Sequence, residues 1–117
     1  MIRIKRIYDK PADEDGFRML VDRLWPRGLS KRNAKVDLWL KEIAPSDGLR
    51  KWFSHDPGKW QDFRKKYEYE LEGKKDLIAK IVQLEKKQKN ITFVFSARDE
   101  RHNNAVVLKE YLEKNLK

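Results

Sequence analysis

The sequence predicts an α/β domain in which a mainly parallel central sheet is flanked by helices in a Rossmann-like three-layer arrangement, with residues 1–117 as a single domain. Three observations predict it. Two short segments with apolar centres, Phe17 to Arg23 and Ile91 to Ala97, read as buried strands with their exits. Amphipathic stripes at helical spacing fill the stretch between them. Parallel neighbours also need crossovers of about a dozen residues or more, which residues 46–90 supply. The chain has 117 residues, 39% of them hydrophobic and 40% charged, so one core can form while every element keeps a wet face.

Ile2, Ile4 and Ile7 alternate loosely with Arg3, Lys5 and Arg6, as in a strand with one wet face. Lys10 to Gly16 reads as a turn. Phe17 to Arg23 is apolar through its centre and ends in charge, as a buried strand does where its carboxyl end reaches solvent. Pro26 restricts Trp25 and Gly28 permits unusual backbone angles, which makes Trp25 to Gly28 a shaped loop. Ser30 to Ala34 fits a helical turn, and Val36 to Ile43 fits either a short strand or a helix. Pro45-Ser46-Asp47 starts a short helix carrying Leu49, Trp52 and Phe53.

Asp56-Pro57 is a second helix start, followed by one stripe of Trp60, Phe63, Tyr67 and Leu71 and ended by Gly73. A third helix carries Leu77, Ile78, Ile81, Val82 and Leu84. The run Ile91 to Ala97 is the second buried strand and its exit. The last helix runs from about Asn103 to Leu116, with Val107, Leu108, Tyr111, Leu112 and Leu116 on its buried side. Phe17 to Arg23 and Ile91 to Ala97 are expected to be parallel neighbours whose exits share one cleft.

Composition removes several classes of function. With no cysteine there is no disulfide scaffold, thiolate zinc site, iron-sulfur cluster or cysteine nucleophile. His55 and His102 form no HxH or HxxxH pair, and the carboxylates lack metal-loop spacing, so neither a metal nor a cofactor is expected. GxGxxG, GxxxxGK[ST] and GxSxG are all absent. No apolar run approaches the roughly 20 residues that span a bilayer, and MIRIKRIYDKP has no apolar leader pattern. The expectation is a cytoplasmic protein with no membrane role, a monomer or homodimer.

The net charge of +9 is spread along the chain, with +2, +3, +3 and +1 in residues 1–30, 31–60, 61–90 and 91–117. A binding tail would concentrate it, so the reading is a solvated lysine-rich surface. A non-catalytic module holding nucleic acid through that diffuse charge is the alternative.

The stronger signal sits at the two strand exits, because ligands of open α/β sheets bind beyond the carboxyl ends of the strands. Arg23, Arg27 and Arg98, with Ser96, Asn103 and the free amides at the start of the last helix, would hold one phosphate- or nucleotide-like anion. The bland reading of the same residues is an ion-pair network of Asp22, Arg23, Arg98 and Asp99. His102 could move a proton in a transferase or hydrolase arrangement, with Asp99 or Asp22 orienting it, or be an ordinary first-turn residue. Of the tryptophans, Trp52 and Trp60 are expected in the core and Trp25 at the cleft rim, although an exposed one could stack bases or meet a protein partner.

The segments LVDRLWPRGLSK (Leu20 to Lys31), DLWLKEIAPSDGLRKWFSHDPGKWQDF (Asp37 to Phe63) and FSARDERHNNAVVLKEYL (Phe95 to Leu112) resemble the domain of unknown function 488 family, in its small YeaO-like branch. The resemblance implies a small α/β fold and names no activity. Larger relatives carry a D-x-R-like strand exit and a cysteine-rich second motif, which correspond to Asp22-Arg23 and to Ser96 through Asn103. Cysteine is missing from the latter here. Some relatives bear a uroporphyrin methyltransferase label, but this chain is too short for that fold and lacks its glycine-rich motifs.

Overall fold

The computed structural model describes residues 1–115, which leaves the expected buried position of Leu116 outside the described residues. Four strands, β1 (Ile2–Arg6), β2 (Phe17–Leu20), β3 (Leu38–Trp39) and β4 (Ile91–Phe95), form one parallel sheet in the order β1-β4-β2-β3. The helices are α1 (Lys31–Ala34), α2 (Asp47–Phe53), α3 (Trp60–Glu72), α4 (Lys75–Gln88) and α5 (Asn104–Asn115). This is the α/β class that the two apolar runs and their helical crossover predict. Among the described residues no helix is long and apolar enough to cross a membrane.

β4 lies between β1 and β2 and is buried at all five positions, which is why its sequence is apolar without alternation. Met19 and Ile4 both register with Phe93. Both strands are shorter than the runs that announced them. The expected strand Phe17–Arg23 ends at Leu20, although the Val21 N–H still donates to the Val94 carbonyl at 3.2 Å, and the run to Ala97 ends at Phe95. Beyond those points the two chains separate, so Asp22-Arg23 and Ser96-Ala97 are exit loops. The ambiguous stretch Val36 to Ile43 resolves into two-residue β3 followed by a 3-10 turn at Lys41–Ile43.

The connections β1 to β2 and β2 to β3 advance across the sheet in one direction, whereas β3 to β4 runs back past β2. Right-handed crossovers then require the returning connection to use the opposite face. Accordingly α2, α3 and α4, joined by α5, pack Leu49, Phe53, Phe63, Tyr67, Ile81 and Leu112 onto the face of Met19, Phe93 and Phe95. The other face, with Leu20 and Val94, is covered by Ile7, α1 and the loop around it. The second layer is thin: one helical turn plus Trp25, Leu29, Val36 and Trp39.

Arg18 is a charged residue inside β2 at 4% exposure. Its guanidinium donates to Asp15 Oδ2 (2.6 Å) and to the carbonyls of Ala34 (2.9 Å) and Lys35 (3.1 Å), and Asp15 also takes Lys5 Nζ at 3.1 Å. Burial raises the Asp15 pKa, but the Ala12 N–H, Lys5 and Arg18 outweigh it and hold the carboxyl below its usual range. Gly16 must be glycine: its φ is +63°, and a Cβ would stand 2.5 Å from the Asn90 carbonyl oxygen that receives the Phe17 N–H.

Ser46 caps α2 by accepting the Leu49 N–H at 3.2 Å, and Glu70 of α3 reaches across to the Ser46 N–H (2.8 Å) and hydroxyl (2.6 Å). Asp56 caps a 3-10 turn, Pro57–Lys59, that leads directly into α3. The expected stripe of Trp60, Phe63, Tyr67 and Leu71 is buried. Trp52 is not: it is 37% exposed, because α2 has only two turns and its inward positions are Leu49 and Phe53.

Candidate functional site

Because the chain leaves β2 toward one face and β4 toward the other, a crevice opens between their carboxyl ends. It is a cleft of about 410 Å³. The β2 exit contributes Asp22, Arg23 and Leu24, the β4 exit Ser96 and Ala97, and the start of α5 Asn103 and Asn104. Opposite them stand Ala44, Pro45, Phe63 and the end of α2, with Arg50, Lys51, Phe53, Ser54 and His55.

Asp22 ties the exits together. Its Oδ2 accepts the Ser96 N–H (2.8 Å) and hydroxyl (2.7 Å), and its Oδ1 accepts from Asn104 Nδ2 (3.2 Å), which also donates to the Val21 carbonyl (2.8 Å). Arg23 is held from behind: Nε donates to the Pro45 carbonyl (3.0 Å) and Nη2 to the Ala44 carbonyl (3.1 Å). Lys74 Nζ reaches the same Ala44 carbonyl at 2.9 Å, and burial pushes its pKa down. Tyr67 donates its hydroxyl to the Ile43 carbonyl at 2.7 Å beneath this wall, and burial drives its phenol far above the usual range.

Four residues named from sequence, Asp22, Arg23, Ser96 and Asn103, line this cleft. The others stand elsewhere. Arg27 is exposed in the loop beyond Pro26, where its carbonyl accepts the Tyr8 hydroxyl (2.8 Å), and Arg98 is exposed beyond the β4 exit. Three arginines therefore do not converge on one anion. Trp25, expected at the rim, packs edge-on to Trp39 at 5.4 Å and donates Nε1 to the Leu29 carbonyl at 2.7 Å, in the thin layer.

His102 and Asp99 do form a pair, Nδ1 to Oδ2 at 2.8 Å, outside the cleft lining and with the imidazole edge against Trp60 at 5.1 Å. Asp99 also accepts the N–H groups of Arg101 (2.9 Å) and His102 (3.0 Å), and these bonds, the Arg101 one foremost, hold its carboxyl below the usual range. Asp22 does not orient His102. Asn103 closes the loop by donating to the Asp99 carbonyl (2.9 Å) and accepting the Val106 N–H (3.1 Å) at the start of α5.

Sequence reasoning missed the α2 wall: Arg50, Lys51, Ser54 and His55. The sequence signals only the turn that follows the helix, not which residues face the cleft. Between the Ser46 cap and the Asp56-Pro57 restart only one two-turn helix fits, and no glycine follows Phe53 to end it. Ser54 and His55 instead adopt φ of 46° and 57°, two consecutive left-handed residues that turn the chain at the cleft mouth. Arg50 is aimed by Asp47, which takes its Nη2 at 3.4 Å, and its Nε is buried with no hydrogen-bond partner among the described residues.

The model of the DUF488-N3i family, described as the inactive DUF488-N3 subclade, matches residues 1–117. The chain belongs to this subclade of the DUF488 family. The Escherichia coli K12 protein called uncharacterized protein YeaO is 40% identical over 111 residues, covering 95% of this chain and 96% of that protein. Uncharacterized proteins Rv3073c of Mycobacterium tuberculosis H37Rv and Mb3100c of Mycobacterium bovis are each 41% identical over 70 residues, which is 60% of this chain and 59% of theirs. No solved structure matches. The DUF488 resemblance of the three sequence segments is thereby shown.

Proposed function

We propose that this DUF488 protein binds a small anionic ligand, phosphate- or nucleotide-like, in the cleft beyond β2 and β4, and does so without chemical turnover. One observation carries the reading: three cations, Arg23, Arg50 and Lys51, line the cleft against two nearby acids, Asp22, which accepts from Ser96 and Asn104, and Asp47, which lies outside the lining at 4.0 Å from Arg23 Nε and 3.4 Å from Arg50 Nη2. The wall is therefore basic toward a ligand. Arg23 is pre-positioned by two backbone carbonyls, which lowers the ordering cost of gripping an anion. Phe53, Phe63, Ala44 and Pro45 offer an apolar surface for a ring, and about 410 Å³ falls within the usual range for small-ligand sites.

Binding is favoured over catalysis because the His102–Asp99 pair lies outside the cleft lining and the subclade is described as inactive. On this reading the protein works in the cytoplasm as a monomer or homodimer. The test is an amide chemical-shift titration with inorganic phosphate, a nucleoside monophosphate and the uncharged nucleoside. Saturable shifts confined to residues 22–24, 50–51, 53–55, 96–97 and 103–104, stronger with the two phosphates, are expected. Shifts scattered over the lysines of α4 with none in the cleft overturn the reading in favour of diffuse charge.

A further inference from the structure

We infer that a second site, the groove between α2 and α3, binds single-stranded nucleic acid, with bases stacking on Trp52 and Tyr69 and phosphates meeting Lys59, Lys65 and Lys66. The groove encloses about 580 Å³ and shares no lining residue with the cleft. Tyr69 is 81% exposed and Trp52 37%, two large rings left in water on one groove of a 117-residue chain that buries its other tryptophans more deeply.

Lysines outnumber the one acid, Glu70, in the groove lining. Lys59 and Lys66 place their ammonium groups 5.1 and 5.2 Å from the centre of the Trp52 ring, and Lys59 is fixed there by donating to the Trp52 carbonyl at 2.8 Å. Lys65 and Lys66 have no carboxylate partner among the described residues. The groove's own acid, Glu70, is held on Ser46 at 2.8 and 2.6 Å, which keeps both of its oxygens turned to the α2 cap. Exposed rings interleaved with unpaired cations match a polymer that alternates planar bases with phosphates, and every base has a face to stack. A duplex hides those faces, so preference for single strands is the signature of this site. An acidic peptide would satisfy the lysines and leave the rings unused.

The experiment is fluorescence anisotropy with a labelled oligothymidylate of 12 nucleotides, a duplex of equal length, and polyglutamate as competitor. The single strand should bind at least about tenfold more tightly than the duplex, and Trp52→Ala and Tyr69→Ala should each weaken it about tenfold. Trp52→Phe should keep most of the affinity. Lys66→Gln should reduce the salt slope by about 0.7, one phosphate contact, while Lys86→Gln on α4 should not weaken binding comparably. Tyr69 packs against so little that its loss reads binding without touching the fold. The inference is overturned by no binding at low salt, by equal binding of duplex and single strand, by indifference to Tyr69→Ala, or by displacement with polyglutamate at equal charge.

Discussion

Ser96 donates both its backbone N–H and its hydroxyl to one carboxylate oxygen of Asp22, at 2.8 and 2.7 Å, so a single acid at the end of β2 fixes the path of the chain leaving β4. The other oxygen of Asp22 holds Asn104 at the start of α5. Three segments that line the cleft are thus joined at one side chain, and the basic groups facing it are set against an acid whose two oxygens both already accept hydrogen bonds.

Asp22→Ala should cost about 1–3 kcal/mol in urea unfolding, because the Ser96 amide and hydroxyl and the Asn104 amide lose a partially buried acceptor. Asp22→Asn, which keeps one acceptor oxygen, should cost less. Equal stability of Asp22→Ala and wild type would mean that the clamp does not hold the exits.

Trp60 is 8% exposed and packs 5.8 Å from Phe63 and 6.1 Å from Phe53, with His102 edge-on. Trp60→Ala should therefore cost about 3–5 kcal/mol, the range for truncating a buried large aromatic. A loss below about 1 kcal/mol in denaturant titration would contradict its place in the core.

Asp15 is held below its ordinary carboxyl pKa of 3.8 in the folded chain, so the folded state favours its ionised form. Its contribution to stability is full above that value and is lost as pH falls through the lower folded pKa. Wild type should therefore lose stability on acidification below about pH 4. Asp15→Asn should start less stable at neutral pH, since Arg18 keeps the Ala34 and Lys35 carbonyls but loses its carboxylate partner, and should then fall less on acidification. An acid limb as steep in the variant as in wild type would exclude Asp15 as its source.

The parts of the fold that follow local rules were legible. β4 announced itself because burial on both sides demands an apolar run, and α3 because Trp60, Phe63, Tyr67 and Leu71 recur at helical spacing. Arg18 was not: a buried arginine inside β2 depends on Asp15 and on the carbonyls of Ala34 and Lys35, partners that only the folded chain assembles. Trp52 misled because an amphipathic stripe fixes the centre of the buried face and not its width. At the site, the exits of β2 and β4 were readable from parallel pairing alone. The α2 wall was not, because Arg50 and Lys51 reach the cleft only through the α2–α3 turn made by Ser54 and His55. Arg27 and Arg98 were grouped with Arg23 by position along the chain, although side chains a few residues beyond an exit point wherever the loop takes them.

The most direct measurement is calorimetric titration of inorganic phosphate and a nucleoside monophosphate into wild type, Arg23→Gln, Lys51→Gln, Arg98→Ala and Lys86→Ala at two salt concentrations. Loss of one charge-assisted contact is worth about 1.5–3 kcal/mol, so Arg23→Gln should weaken binding at least tenfold. Lys51→Gln, an exposed change that spares the fold, should weaken it as well. Arg98→Ala and Lys86→Ala should bind as wild type does, because neither residue lines the cleft and screened charges act over about 10 Å at most. Uniform weakening across all four variants, or no saturable binding of either phosphate to wild type, would contradict the account.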